Sequence, residues 1–318
     1  MGGAVMTRAG AVVRVAGAVA AVGAACVAYG VVVERHRFVV RRFTLPILPA
    51  GSPTVRVLHL ADVHLLARQR RKLRFLASLQ GIEPDLVVNT GDNVSEAAAI
   101  EPFFAALGRL LDKPGVFVFG SNDYAAPGFT NPLSYLVGGT RSARRERPLL
   151  PTEDLRSGFA DAGWVDLNNR RTTLDVRGVR LDVRGTDDAH HRLEDLSVAQ
   201  GPVDPAAALT IGVTHAPYLR VLDAFVSSGV GLVIAGHTHG GQVCVPGHGA
   251  LVTNCDLDAE RAKGISTHLA DGRIAVMHVS AGVGSSPFAP YRFACRPEAS
   301  VLTLTAVDAV YEPPPRLS

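Results

Sequence analysis

The chain has 318 residues, 47% of them hydrophobic, and a formal net charge of +3 at pH 7. This length and composition predict a folded protein of one or two domains, and the small net charge argues against a nucleic-acid-binding protein, which would need a strong basic field. The four cysteines have irregular spacing and form no Cys-x-x-Cys pair, so we expect neither a disulfide framework nor a cysteine-based zinc site.

An uncharged apolar run occupies the N-terminal part of the chain, from Val15 to Val33. A helix of this length spans the hydrocarbon core of a bilayer. The run is apolar on every side and meets a basic cluster instead of a small-residue cleavage site. We therefore expect a single-pass membrane anchor over residues 1–42, and neither a cleaved signal peptide nor a buried core helix. The flanking arginines are Arg8 and Arg14 before the run and Arg35, Arg37, Arg41 and Arg42 after it. Their excess after the run predicts a cytoplasmic folded domain.

Residues 43–53 are rich in proline and small residues, which predicts a linker. We expect one folded domain over 54–308 and a loose tail over 309–318. The segment from Gly128 to Pro151 lacks periodicity and predicts an exposed insertion or flap.

Short β-branched runs alternate with helical patterns through the folded domain, which predicts an α/β protein with a mixed sheet. The predicted strands are Val55–Leu60, Asp85–Thr90, Gly115–Phe119, a hairpin of Thr172–Val176 and Val179–Arg184, Leu209–Thr214, Gly231–Ala235, Ile274–Ser280 and Ser300–Val307. The predicted helices are Arg70–Leu79, Ala97–Leu111 and Leu219–Ser228.

Five of the predicted strands run directly into residue types that bind metals. The residues that follow these strands are Asp62 and His64, Asp92, Asn122 and Asp123, His215, and His237 and His239. Ligands gather beyond the carboxyl ends of strands in α/β sheets, so we expect the five ends to face one site. The pair at 237 and 239 is the most specific signal, because alternate residues of an extended segment point to the same side.

This residue set suits two divalent cations held close together. The cations repel each other, and a carboxylate shared between them offsets that repulsion, for which Asp92 is the natural candidate. Imidazoles and a carboxamide supply the other donors, and mixed oxygen and nitrogen ligation suits Mn, Fe, Co or Zn better than Ca or Mg. Such a pair of ions binds a phosphoryl group and activates a water molecule, so we expect a phosphate-ester substrate.

In this order the motifs resemble those of the calcineurin-like metallophosphoesterase superfamily, over residues 55–307. The run from Gly236 to Gln242 resembles a membrane-associated bacterial branch of it. The resemblance implies a four-layer sandwich, with two mixed β-sheets face to face and helices outside, and a hydroxide activated by two metals. It also implies the ligands: Asp62, His64 and His239 on the first metal, Asp92 as the bridge, and His215, His237 and an asparagine of the third motif on the second.

The third motif departs from the family pattern, which is Gly-Asn-His followed by Asp or Glu. This chain has Gly120-Ser121-Asn122-Asp123 instead. Aligned position by position, Ser121 replaces the ligand asparagine and Asn122 replaces the histidine. With a shift of one residue, Asn122 becomes the ligand and Asp123 lies behind it. We favour Asn122, because a carboxamide oxygen is a better ligand than a serine hydroxyl.

Either alignment leaves this motif without the histidine that protonates the leaving group, a loss that typically costs about 10²–10⁴ in rate. A good leaving group, such as the phosphate of a pyrophosphate link, would tolerate the loss. Otherwise Asp123, His190, His191 or His248 would have to donate the proton. We expect Asp92, Asn122 and Asp123 to be the catalytic residues.

The leading hypothesis is a membrane-anchored hydrolase of a phosphomonoester, a phosphodiester or a lipid-linked pyrophosphate. The alternative is a metal-binding module with weak or lost catalysis, which the altered third motif favours. A nuclease is disfavoured by the low net charge and the anchor.

Overall fold

The computed structural model describes residues 8–128 and 147–308. Most of the predicted insertion, and the predicted tail over 309–318, lie outside the described residues. The α-helices are α1 (Arg8–Val32), α2 (Arg70–Ser78), α3 (Ile100–Leu107), α4 (Ser121–Tyr124), α5 (Thr152–Asp161), α6 (Leu196–Ala199) and α7 (Leu219–Ser227). The strands are β1 (Val39–Leu48), β2 (Val55–Leu60), β3 (Leu86–Asn89), β4 (Gly115–Phe117), β5 (Val165–Asp166), β6 (Arg170–Val176), β7 (Val179–Gly185), β8 (Leu209–Thr214), β9 (Leu232–Ala235), β10 (Cys244–Val245), β11 (Gly249–Ala250), β12 (Gly264–Ala270), β13 (Arg273–Val279) and β14 (Glu298–Ala306).

Two six-stranded mixed sheets form the centre of the described fold. The first has the order β1-β14-β2-β3-β4-β5, in which only the β14–β2 pair is antiparallel. The second has the order β12-β13-β9-β8-β7-β6, in which the two outer pairs are antiparallel. The prediction of mixed sheets is confirmed.

Alternating side chains of the strands divide the apolar core into layers. Between the sheets, Val57 and Val88 of the first sheet pack with Ile211 and Ile234 of the second. The opposite face of the first sheet packs on α2, α3 and α5, and that of the second sheet packs on α7. The predicted order of helix, sheet, sheet and helix is therefore confirmed.

The predicted linker over 43–53 is wrong in its first half, because β1 continues through Leu48 and pairs in parallel with β14. Pro46 lies within this strand. It is tolerated because β1 is the edge strand of its sheet, where a missing N–H breaks no ladder on the open side. Only residues 33–38 separate the sheet from the end of α1.

Helix α1 carries apolar side chains that face solvent. The exposed valines are Val15, Val19, Val22, Val27 and Val32, between 63% and 67% exposed. Within the stretch from Arg14 to His36, an 18-residue window has a mean hydropathy of 2.1, and the length and composition of the helix suffice to cross a membrane. A buried core helix is excluded by this exposure.

Candidate metal centre

The strand ends that carry the predicted ligands lie level with one another in each sheet. In the first sheet Leu60 is opposite Asn89, and Asn89 is opposite Phe117, so β2, β3 and β4 end together. In the second sheet Thr214 is opposite Ala235, so β8 and β9 end together. The loops after all five strands therefore leave from the same side of the sandwich.

Hydrogen bonds join the loops of the two sheets across this edge. The N–H group of His237 donates to the carboxylate of Asp62 at 2.9 Å. The ring nitrogen Nδ1 of His215 donates to the carbonyl oxygen of Thr90 at 2.7 Å. Each bond links one sheet to the other, so the side chains from both converge on a single buried site.

The first group of candidate ligands consists of Asp62, His64 and His239, whose ligand atoms all lie within 4.8 Å of one another. The Nε2 atoms of His64 and His239 are 3.2 Å apart. Asp62 and His64 are almost fully buried, whereas the His239 side chain is 13% exposed. The group therefore opens toward solvent on the side of His239.

The second group consists of Asp62, Asp92 and His215, again with ligand atoms within 4.8 Å of one another. Nδ1 of His237 lies 3.1 Å from Nε2 of His215 and so extends this group. Oδ2 of Asp92 is 3.3 Å from Nε2 of His64 and 3.7 Å from Nε2 of His215. Asp92 therefore lies between the two groups, and Asp62 belongs to both.

Backbone carbonyls fix which nitrogen of three histidine rings carries the proton. The pairs are His215 Nδ1 to Thr90 O (2.7 Å), His239 Nδ1 to Gly284 O (3.2 Å) and His237 Nε2 to Asn254 O (3.4 Å). In the neutral form of each ring the other nitrogen is an acceptor, and it faces the carboxylates and neighbouring imidazoles of the site. Acceptors that face acceptors repel unless a cation lies between them. The donor set therefore fits divalent metal ions.

Five of these residues have a left-handed backbone, which is uncommon outside glycine and costs of order 1–3 kcal/mol per residue. They are Asp62 (φ 49°), His64 (φ 44°), Asp92 (φ 56°), His237 (φ 70°) and His239 (φ 50°). These residues form tight turns after the strand ends. Hydrogen bonds hold two of the turns together, from Asp62 N–H to Gly91 O (2.9 Å) and from His64 N–H to Asp92 O (2.8 Å).

A comparison with known families identifies this arrangement. The family model described as calcineurin-like phosphoesterase matches residues 55–241, which begin at β2 and end just after His239. The chain belongs to the calcineurin-like phosphoesterase family. Residues 55–241 thus form a domain of this family, and the predicted resemblance to the superfamily is confirmed.

Three relatives of the chain show how far the likeness extends. The uncharacterized metallophosphoesterase YkuE of Bacillus subtilis is 24% identical over 275 residues, which cover 82% of this chain and 83% of YkuE. A transmembrane protein with metallophosphoesterase domain from Bos taurus is 27% identical over 207 residues, 62% of this chain and 43% of that protein. The uncharacterized protein YpbG of Bacillus subtilis is 24% identical over 195 residues, 61% of this chain and 64% of YpbG. The matches thus span less than two thirds of the last two relatives.

The third motif, where this chain departs from the calcineurin-like pattern, begins the short helix α4. The Asn122 carboxamide lies 2.7 Å from Oδ2 of Asp92, and the Asn122 N–H donates to Oδ1 of the same carboxylate at 2.8 Å. The hydroxyl of Ser121 instead donates to the buried carboxylate of Asp188 at 2.6 Å. The structure therefore places Asn122 at the site and turns Ser121 away from it.

Asp123 lies behind the site and is fully buried. Its carboxylate accepts hydrogen bonds from the N–H groups of Asp92 (2.6 Å), Asn93 (2.8 Å) and Gly120 (2.9 Å). Burial and the charge of Asp92 raise the pKa of Asp123 to about 7, although these N–H groups act in the opposite direction. A carboxylate held in this way orients the Asp92 loop.

The three histidines proposed as proton donors lie at different distances from the calcineurin-like site. The His190 ring centre is 5.0 Å from that of His237, and His190 Nδ1 is 2.9 Å from the hydroxyl of Tyr218. His191 pairs with Asp188 at 2.7 Å. His248 is exposed in the turn between β10 and β11. Among the described residues, His190 is therefore the one of the three in ring contact with a candidate ligand.

A buried arginine supports the first group of candidate ligands. Arg292 is fully buried and donates to the carbonyl oxygens of Ala281 (2.7 Å) and Gly284. Its guanidinium also lies 3.4 Å from Nδ1 of His239. Arg292 thus holds the loop whose carbonyl fixes the tautomer of His239.

The sequence interpretation missed Lys72, which lies on α2 and is 7% exposed. Its amine donates to the carbonyl oxygens of Val63 (2.6 Å) and His64 (3.1 Å). Lys72 therefore stabilises the backbone of the loop that carries Asp62 and His64. Burial, followed by the charge of Arg292, lowers the pKa of Lys72 to about 7. One signal was available, because Lys72 precedes Leu76 by one helical turn and so shares the apolar face of α2.

The carboxylates and imidazoles of the site shift each other's protonation. Burial raises the pKa of Asp62 to about 7, and Asp92 adds to this rise. Burial lowers the pKa of His215, but the carboxylates of Asp92, Asp62 and Asp188 outweigh it and raise the value to about 9. Burial holds the pKa of His64, His237 and His239 well below the ordinary value. Most of the imidazoles are thus neutral at pH 7, which is the form that binds metals.

Proposed function

We propose that the site holds two divalent ions and hydrolyses a phosphate ester at a membrane surface. The observation that carries this proposal is the convergence, on two buried carboxylates, of imidazole rings whose other nitrogen is hydrogen-bonded to a backbone carbonyl. The proposed ligands are Asp62, His64 and His239 for the first ion, His215, His237 and Asn122 for the second, and Asp92 shared between them. Mixed oxygen and nitrogen donors favour Mn, Fe, Zn or Co as the ions.

Two such ions, when bound, supply Lewis acidity and lower the pKa of a water molecule. The protein's own residues hold the donors in place and exclude bulk water. The shared carboxylate of Asp92 offsets the repulsion of two neighbouring charges. Rotation of the Asn122 carboxamide by half a turn would bring its oxygen, instead of its nitrogen, to the site.

His190 is the residue that we propose to protonate the leaving group in place of the missing motif histidine. It follows β7, contacts the ring of His237 and is oriented by the hydroxyl of Tyr218. A phosphomonoester or phosphodiester with a poor leaving group would need this proton. A lipid-linked pyrophosphate would not, because phosphate leaves readily.

Hydrolysis of bis(4-nitrophenyl) phosphate by the purified full chain with added Mn²⁺ tests the proposal. Asp92→Asn removes the shared charge, so we expect a fall in rate of about 10³-fold or more. Asp154→Asn, on the exposed surface of α5, is the matched control and should keep the wild-type rate. Equal rates for the wild type and Asp92→Asn would refute the hydrolytic site. A wild type that binds two ions but hydrolyses nothing would support the alternative, a metal-binding module.

We further propose that α1 spans a membrane and that the catalytic domain lies on the cytoplasmic side. The exposed valines of α1 and the arginines after it support this proposal, as does the relative from Bos taurus named as a transmembrane protein. The chain should stay in the membrane pellet after alkaline carbonate extraction, and green fluorescent protein fused at its C-terminus should fluoresce. Release of the chain into the supernatant would refute the membrane-spanning helix, and a fusion protein that does not fluoresce would refute the cytoplasmic orientation of the catalytic domain.

A further inference from the structure

The end of α1 is packed against the loop over 286–296. A β-carbon on Gly30 would lie 2.7 Å from the carbonyl oxygen of Arg292, so only glycine allows this approach. The N–H group of Arg292 donates to Gly30 O at 3.3 Å, and the ring of Tyr29 meets that of Phe293 edge-on at 6.2 Å. Glu34, just past the helix, accepts from the N–H of Cys295 at 2.8 Å. These contacts fix the loop to the helix end.

The β10–β11 hairpin and the residues just before it contact the same loop. Val243 pairs with Phe293 in a parallel bridge, and the N–H of Cys244 donates to Phe293 O at 2.8 Å. The side-chain amide of Gln242 donates to the carbonyl oxygen of Ala289 at 2.7 Å. Helix end, loop and hairpin therefore form one continuous surface.

This surface exposes several large apolar side chains, which we call the apolar rim. They are Val243 (38% exposed), Val245 (44%), Phe288 (49%) and Leu251 (52%). Single exposed apolar residues are normal, but a group on adjoining segments marks an interaction surface. The rim adjoins the helix that we propose to cross a bilayer, so the partner within reach is that bilayer.

The polar residues around the helix end suit the interface of a membrane. Gly30 lies within one turn of the end of α1, so the loop that contacts it would lie at the level of the lipid headgroups. Tyr29 accepts a hydrogen bond from Arg37 at 3.3 Å, and Arg35 donates to the carbonyl oxygen of Pro290 at 3.1 Å. Tyrosine and arginine are the residue types that anchor proteins at this depth and meet anionic headgroups.

The metal site is a direct neighbour of this surface. Arg292 contacts Gly30 through its backbone and approaches His239 to 3.4 Å through its guanidinium. His239 also begins the turn that leads into the hairpin, and it is the ligand on the exposed side of the site. A phosphate group at the membrane surface would thus be within reach of the site.

We propose that the apolar rim inserts into the headgroup region of the bilayer that α1 crosses, and that the substrate is a phosphate ester or pyrophosphate carried by a membrane lipid. The second part rests on the proposed function of the site. The first part does not require catalysis, so the two are tested separately.

Tryptophan fluorescence tests the insertion of the rim, with the full chain reconstituted in phosphatidylcholine vesicles. The single native tryptophan, Trp164, is 3% exposed and gives a constant background. In the variants Val245→Trp and Phe288→Trp, the introduced tryptophan adds fluorescence above this background. Lipids brominated on their acyl chains should quench that added fluorescence to about half, because the inserted side chain would contact them. Ile274→Trp is the control, because Ile274 is 67% exposed at the start of β13, the end of the strand away from the site. Quenching of the rim variants no greater than that of the control would overturn the insertion.

Hydrolysis rates test the lipid substrate, on soluble bis(4-nitrophenyl) phosphate and on vesicles that contain phosphatidic acid or phosphatidylglycerol. The double variant Val245→Asp, Phe288→Asp should hydrolyse the soluble ester at the wild-type rate. Its rate on a vesicle lipid should fall about tenfold or more, because a charged rim cannot enter the bilayer. The matched control is the double variant Leu269→Asp, Ile274→Asp, at sites that are 66% and 67% exposed. It should keep the wild-type rate on both the soluble and the vesicle substrate.

Three results would overturn the lipid substrate or the function beneath it. Equal losses on soluble and vesicle substrates, or a wild type that cleaves the soluble ester and neither vesicle lipid, would overturn the lipid substrate. A wild type that cleaves no ester would refute the proposed function, while the bromolipid experiment still decides the insertion of the rim.

Discussion

The substitution Asp123→Asn separates an orienting role of this residue from a catalytic one. At pH 8, above its pKa of about 7, the Asp123 carboxylate is ionised. Oδ2 accepts from the N–H groups of Asp92 and Gly120, and Oδ1 accepts from that of Asn93. An amide keeps one oxygen, so its NH₂ group must face at least one backbone donor.

The loss can be estimated from these hydrogen bonds. Each bond to a charged group contributes about 1.5–3 kcal/mol, and two are lost if the amide nitrogen takes the place of Oδ2. Removal of a buried charge offsets part of this, so we expect a net loss of about 3 kcal/mol in the free energy of unfolding. For a chain of this size that corresponds to a fall in Tm of about 6–12 °C.

Thermal unfolding and metal analysis of the full chain at pH 8 measure the effect. Asp123→Asn should lower Tm and bind fewer than two metal ions, because the Asp92 loop loses its support. The control Asp154→Asn, on the exposed surface, should change neither quantity. A variant with the wild-type Tm and full metal content that loses rate only on esters with poor leaving groups would refute the orienting role and make Asp123 the proton donor.

Three further perturbations follow from the site. His190→Ala should cost about 10²-fold on a phosphodiester whose leaving group is an unactivated alcohol and little on bis(4-nitrophenyl) phosphate, because only a poor leaving group needs the proton. Equal losses of rate on the two substrates would exclude His190 as the donor. Gly120→Ala should lower the metal content measured by mass spectrometry, because the added β-carbon would meet the Asp92 carboxylate and the His215 ring, and unchanged content would contradict this packing. Metal binding should release protons and tighten as pH rises from 6 towards 9, since Asp62, with a pKa of about 7, and His215, with a pKa of about 9, carry protons that the metal displaces. Calorimetric heats that do not depend on the ionisation enthalpy of the buffer would contradict this release.

The candidate site was largely predictable because each of its residues directly follows a buried strand. Apolar runs such as Val55–Leu60 and Leu209–Thr214 are short and β-branched, so they predict strands with little ambiguity. A polar residue at the end of such a strand has to lie at the edge of the sheet. The level ends of parallel strands then bring Asp62 and Asp92 together in the first sheet, and the packing of the two sheets brings His215 to them.

The supporting residues and some elements depended on the tertiary structure. The edge strand β1 was not predicted because Pro46 argues against a strand unless that strand lies at the edge of a sheet, and the sequence does not show which strand is at the edge. The predicted helix over 97–111 is divided at Gly108, which has a φ of 47° and ends α3. Lys72 and Arg292 are buried because they meet carbonyl oxygens of distant loops, and no local pattern contains those contacts.

Anomalous diffraction from crystals of the full chain grown with Mn²⁺ tests the central claim most directly. We expect two anomalous peaks at the edge where β2, β3, β8 and β9 end. One should be bound by Asp62, His64 and His239, the other by His215, His237 and Asn122, with Asp92 between them. A single peak, or two peaks that do not share Asp92, would contradict the two-metal site.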